Sequence, residues 1–97
     1  MKLREKVAII TGGGRGIGRE YALRFSEEGA NIVIADISFE NAQKAAGDIE
    51  AKGGKALAVH TDVSSPPSML EMAQKALARF GRIDILLNNA AFITASG

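Results

Sequence analysis

The chain has 97 residues, 46% of them hydrophobic, with 12 basic against 11 acidic side chains and a formal net charge of +1. A length near 100 residues supports a single core, and charge this balanced, with no run of like sign, leaves no footprint for nucleic acid. The absence of cysteine rules out a disulfide framework, a thiolate metal site and a cysteine nucleophile. No apolar stretch approaches the roughly 20 residues of a membrane helix, and the first ten residues lack the apolar core and cleavage site of a signal peptide. The expected location is therefore cytoplasmic, with no membrane partner.

In chain order, the first apolar run is Val7 to Ile10, continuous where a half-exposed strand would alternate, as in strands buried on both faces. Five glycines follow within seven residues, from Gly12 to Gly18, and lead into a helical pattern from Gly16 to Glu28. Its predicted inner face carries Ile17, Tyr21, Ala22 and Phe25. A second strand is read at Asn31 to Ala35. A second helix opens at Ser38 as N-cap, buries Phe39, Ala42, Ala45, Ala46 and Ile49, and stops at Lys52 to Gly54. The third strand is Ala56 to Val59. The third helix is capped by Ser65, begins at Pro66 and aligns Met69, Ala73, Ala76, Leu77 and Phe80 before Gly81. Met69 and Met72 read as core filling and surface, not as a recognition stripe. A fourth strand, Ile83 to Leu87, contains Asp84, whose carboxylate is expected near the strand start within reach of water or a backbone N–H.

A β-α-β-α-β-α-β order with short links predicts a parallel sheet, right-handed crossovers and helices on both faces, in one unit. At the carboxyl end of such a strand, a glycine turn into a helix exposes unpaired N–H groups and the positive end of the helix dipole. Removal of Cβ lets an anion approach that backbone, so the turn is read as a phosphate cradle and not as a turn alone. Neither the literal G-x-G-x-x-G nor the P-loop lysine is present. What stands is T-G-x-x-x-G-x-G, at Thr11, Gly12, Gly16 and Gly18.

Three further motifs occur at strand ends: Asp36 after the second strand, Asp62–Val63 after the third, and Asn88–Asn89–Ala90 after the fourth. Together with the glycine turn they resemble the short-chain dehydrogenase/reductase family over essentially the whole chain. The resemblance implies a Rossmann-type three-layer α/β/α fold with strand order 3-2-1-4. It makes residues 1–97 the N-terminal, cofactor-binding part of one domain, whose catalytic half lies outside the chain. It implies hydride transfer between a nicotinamide cofactor and an alcohol or ketone in the parent protein, which the family commonly assembles as a dimer or tetramer.

Residue by residue, the resemblance has Gly12 permit the turn, Gly16 and Ile17 face the pyrophosphate, and Gly18 bring the helix close to the sheet. Thr11 would tie the turn to the end of the fourth strand. Asp62 would accept from the adenine amino group with Val63 beside it, and Asn89 and Ala90 would line the ribose next to the nicotinamide. Asp36 is placed to accept from the adenosine ribose hydroxyls and to repel a 2′-phosphate, which favours NAD over NADP. Arg15 occupies a position that in the family often accompanies NADP, while Ile37 fills the place where a second basic residue would help hold that phosphate.

The family's serine, Tyr-x-x-x-Lys pair and catalytic asparagine are not identifiable, so no catalytic residue is assigned. The single tyrosine, Tyr21, stands four residues before Phe25 and reads as packing. No metal site is read, and the single histidine, His60, is expected to be structural or solvent-facing. Ala91 stands where the family usually has glycine, and a small adjustment of the path is expected there. Two other functions stay open: a non-catalytic nucleotide-binding or interaction module, and a flavin or nucleoside phosphate in the same cradle. The outer edge of the fourth strand is expected to make the isolated chain associate or fold only marginally.

Overall fold

The computed structural model describes residues 2–90. Four strands and three helices alternate: β1 (Val7–Thr11), α1 (Gly16–Glu27), β2 (Asn31–Asp36), α2 (Phe39–Ala51), β3 (Ala56–His60), α3 (Pro66–Phe80) and β4 (Ile85–Asn88). They form one parallel sheet in the order β3-β2-β1-β4. Registers such as Ile9↔Val33, Ile9↔Leu86 and Val33↔Leu57 make β1 and β2 the central strands.

Their continuous apolar runs follow from burial on both faces. Ala8, Ile10, Ile32 and Ile34 point toward α1 and α2, where they meet Ala22, Ala42, Ala45, Ala46 and Ile49. The alternate residues Val7, Ile9, Val33, Ala35 and Val59 point the other way, onto Met72 and Ala76 of α3. Each fully buried Ile or Val side chain contributes roughly 1.5–3 kcal/mol relative to exposure, so these two small cores hold the three layers together.

The faces that α1 and α3 bury differ in part from those their hydropathy predicts, while α2 follows it except at Phe39. On α1 the buried residues are Gly18 and Ala22, whereas Ile17 is 67% and Tyr21 44% exposed. The fully buried contact runs through Gly18 and Ala22, whose small size lets the helix approach the strands, with Leu23 and Phe25 packed partly buried beside it. Phe25 is partly buried against the core as predicted, and the exposed Tyr21 packs on it with ring centroids 6.4 Å apart. On α2 the alanines and Ile49 are buried as expected, but Phe39 in the first turn is exposed. On α3 the core residues are Met72 and Ala76; Met69 and Phe80 are partly buried, Leu77 is exposed, and Met72 is core and not surface.

Ser38 and Ser65 cap α2 and α3 as predicted, accepting from the N–H groups of Asn41 and Ser68. Gly81 ends α3 in the left-handed conformation, at φ 82°. Asp84 lies just before β4, with its Oδ2 accepting the Val7 N–H at 2.8 Å and its own N–H donating to the Val7 carbonyl at 2.9 Å. That exchange sets the β1–β4 register from its first residue. No helix among the described residues is long and apolar enough to cross a membrane.

Candidate dinucleotide-binding cleft

Because all four strands are parallel, their carboxyl ends gather at one side of the sheet, where open α/β sheets form their ligand crevices. A cleft of about 590 Å³ opens there, within the range of small-molecule sites. Of the residues singled out in the sequence, Gly12, Arg15, Gly16, Asp36, Ile37, Asp62, Val63, Asn89 and Ala90 line it. Ile17 and Gly18 do not; they sit in the first turn of α1, with Ile17 exposed and Gly18 buried. Thr61 and Ser64 complete the lining and went unnoticed in the sequence, where nothing but their place beside Asp62 marks them.

The glycine turn leaves β1 with Gly12 at φ +67° and enters α1 with Gly16 at φ +60°, conformations that L side chains rarely adopt. A Cβ on Gly18 would strike the Gly12 carbonyl oxygen and approach the Asn89 side-chain nitrogen to 2.6 Å, so the turn, the helix and the end of β4 close on one another only through glycine. The start of α1 differs from those of α2 and α3 in having no side-chain cap. Its N-cap residue, Arg15, offers no side-chain acceptor, and no acidic residue occupies its first turn. The first N–H groups of a helix have no helical partner, so those of Gly16, Ile17 and Gly18, with the positive end of the helix dipole, remain for an external anion.

Thr11 fixes the opposite wall. Its hydroxyl, wholly buried, donates to Asn88 Oδ1 at 2.8 Å and accepts the Ala90 N–H at 3.1 Å. Asn89 Nδ2 reaches back to the Gly12 carbonyl at 3.4 Å. The adjoining Ala91 lies outside the described residues.

Two carboxylates face the cleft in different states. Asp36 is buried at 5% exposure and accepts N–H groups from Gly14 at 3.0 Å and Ser38 at 2.9 Å. Asp62 is more open; its Oδ1 accepts both the hydroxyl of Ser64 at 2.6 Å and the Ser64 N–H at 2.9 Å. The Ser64 hydroxyl, and after it the Ser64 N–H, hold the Asp62 carboxyl below its usual value, which keeps it a charged acceptor. His60 is exposed at the end of β3, where its positive form lowers Asp62 slightly further. Among the described residues no group of His, Cys, Asp and Glu is arranged to hold a metal ion.

The arrangement offers a bare helix start for phosphates, buried and open acceptors for hydroxyl and amino groups, and the exposed side chain of Ile37 as an apolar wall. A nicotinamide dinucleotide fits this donor and acceptor set: glycine takes the place that a side chain would fill at the turn, and the acceptors lie further along the cleft. When bound, the nicotinamide supplies the acceptor or donor of hydride.

Residues 6–97 match the family model described as short chain dehydrogenase. The chain is 40% identical over 90 residues to a 7alpha-hydroxysteroid dehydrogenase of Escherichia coli (strain K12), covering 93% of this chain and 35% of that protein. It is 44% identical over 96 residues to a tropinone reductase-like protein of Erythroxylum coca, covering 99% and 34% respectively. The crystal structure of hydroxysteroid dehydrogenase from Escherichia coli superposes with a TM-score of 0.88 at 39% identity, covering 90% of this chain and 37% of that one. The chain therefore spans little more than a third of the length of these relatives.

Proposed function

The chain belongs to the short-chain dehydrogenase family, and on that premise we propose that it is the dinucleotide-binding part of an NAD-dependent oxidoreductase. The parent protein transfers hydride between the cofactor and an alcohol or ketone. The observation that carries this reading is the uncapped start of α1 opening into a cleft walled by Asp36, Asp62 and Asn89. Pyrophosphate lies against Gly16 and Ile17, the adenine amino group meets Asp62 beside Val63, and the ribose next to the nicotinamide lies along Asn89 and Ala90. Relatives named as a steroid dehydrogenase and a butanediol dehydrogenase support an alcohol or ketone as the substrate class. The family's catalytic serine, tyrosine–lysine pair and asparagine belong to a part of the protein beyond these 97 residues, and the whole enzyme is a cytoplasmic homo-oligomer.

NAD is preferred to NADP. Asp36 fronts the adenosine ribose with a fixed, buried carboxylate, and a 2′-phosphate there would meet like charge at contact. Arg15 is exposed and long enough to turn to water, and Ile37 offers no second cation. Calorimetric titration of the protein with NADH and NADPH tests this, with NADH expected to bind at least about tenfold more tightly, the equivalent of 1.4 kcal/mol. Equal affinities would overturn the NAD assignment. Binding of neither would overturn the dinucleotide reading and favour an interaction module.

A further inference from the structure

A dinucleotide needs only one face of Asp36, yet both oxygens of this buried carboxylate are bonded to backbone amides. Oδ2 accepts the N–H of Gly14, in the middle of the glycine turn, at 3.0 Å. Oδ1 accepts the N–H of Ser38, at the entry to α2, at 2.9 Å. The main-chain carbonyl of the same residue accepts the N–H of Thr61, beyond β3, at 2.9 Å. One residue thus joins the chain leaving β1, β2 and β3. Gly14 is pressed into this junction: a Cβ there would lie 2.8 Å from Asp36 Oδ2 and 2.8 Å from Asn41 Cβ on α2.

We propose that Asp36 is a positioning residue for the cofactor phosphates, holding the glycine turn in its binding shape through the Gly14 amide. The proposal rests on the dinucleotide reading above and deepens it. Glycine loses more conformational freedom on ordering than any other residue, so a turn this rich in glycine is costly to immobilise when a ligand arrives. A charge-assisted hydrogen bond within the ligand-free protein lowers that cost in advance. Specificity and affinity are therefore coupled in one side chain. Replacing Asp36 to admit a 2′-phosphate also releases the turn that must hold the pyrophosphate, and a single substitution weakens both cofactors instead of exchanging them.

The test separates ribose from phosphate. Cofactor-free protein is titrated by NMR with adenosine, which carries the ribose alone, and with inorganic pyrophosphate, which carries neither ribose nor base. Asp36→Asn is isosteric, but it retains one acceptor oxygen and turns an amide donor toward the second N–H. Loss of negative charge beside the cleft should by itself strengthen pyrophosphate binding. The clamp predicts the opposite sign, a weakening of about tenfold, together with faster hydrogen exchange at the Gly14 amide.

Weakened adenosine with unchanged or tighter pyrophosphate would overturn the clamp and leave Asp36 a ribose ligand, with the dinucleotide reading intact. A wild-type protein that binds no pyrophosphate would overturn the clamp; should Asp36→Asn fail to fold, exchange in the wild-type protein decides. Protection of the Gly14 amide well above that of Arg15 and Gly16 supports the clamp, and equal exchange overturns it.

Discussion

At the scale of single residues, Asp84 shows how a charge in an apolar stretch can organise a fold. The Arg82 guanidinium donates to it at 2.9 and 2.7 Å, and the Val7 N–H at 2.8 Å. The Arg82 hydrogen bonds first, and then the one from Val7, hold its carboxyl below the usual 3.8. A carboxyl whose folded value is depressed stabilises the fold fully above its unfolded value, and that contribution is lost as pH falls through the folded value. The window for Asp84 therefore lies below 3.8, and Asp62, lowered by Ser64, titrates in the same direction there. Asp84→Asn should lower the urea midpoint at neutral pH and flatten its decline below 3.8, so that variant and wild type converge in acid. An acid decline as steep in the variant as in the wild type would show that the Arg82–Asp84–Val7 arrangement adds nothing to stability.

At the scale of elements, the link between β1 and the end of β4 passes through one hydroxyl. Thr11→Val preserves shape but leaves the Ala90 N–H and Asn88 Oδ1 without the partners they have at 3.1 and 2.8 Å. Both hydrogen bonds are only part-buried, so water can reach the groups left behind and the cost is about 1 kcal/mol, to be read as a lower urea midpoint with unchanged slope. NADH affinity should fall as well, because Asn89 and Ala90 form a wall of the cleft; a variant as stable as wild type would remove Thr11 from this role. Thr11 was legible in the sequence, as were the strands, whose unbroken apolar runs can be satisfied only by burial on both faces. The helix ends were legible too, because Ser38, Ser65 and Gly81 carry their own capping chemistry. The inner faces of α1 and α3 were legible only in part, through Ala22 and Ala76. Hydropathy also favours Ile17, Tyr21 and Leu77, whereas close packing on the sheet selects Gly18 and Met72 in their place, and how closely an axis approaches is decided by partners distant in sequence. For the same reason the acidic residue at the end of β2 stood out, but the amides of Gly14 and Ser38 that occupy it did not.

At the scale of the whole molecule, the sheet is asymmetric. β3 and β4 are its two edge strands, each paired on one side only among the described residues, but β3 is covered on its faces by α2 and α3, whereas on β4 Leu86 is 52% exposed. An open edge of unpaired N–H and C=O groups beside an exposed leucine is a template for another strand. A chain of about 100 residues also has little core to spare against partial opening. The 97-residue chain on its own should therefore associate, with a sedimentation coefficient that rises with concentration above that of a 10.2 kDa monomer. Leu86→Lys separates the two causes. A lysine at the edge opposes pairing without removing a buried side chain, so if the open edge drives association, the variant sediments as a monomer with an unchanged urea midpoint. If the variant associates as readily as wild type, the β4 edge is not the cause; ligands that bind the folded state, NADH among them, then suppress association in both chains if partial opening of the small core drives it, and leave it unchanged if the β3 edge does. A wild-type chain that stays monomeric at every concentration would show that β4 tolerates its open edge.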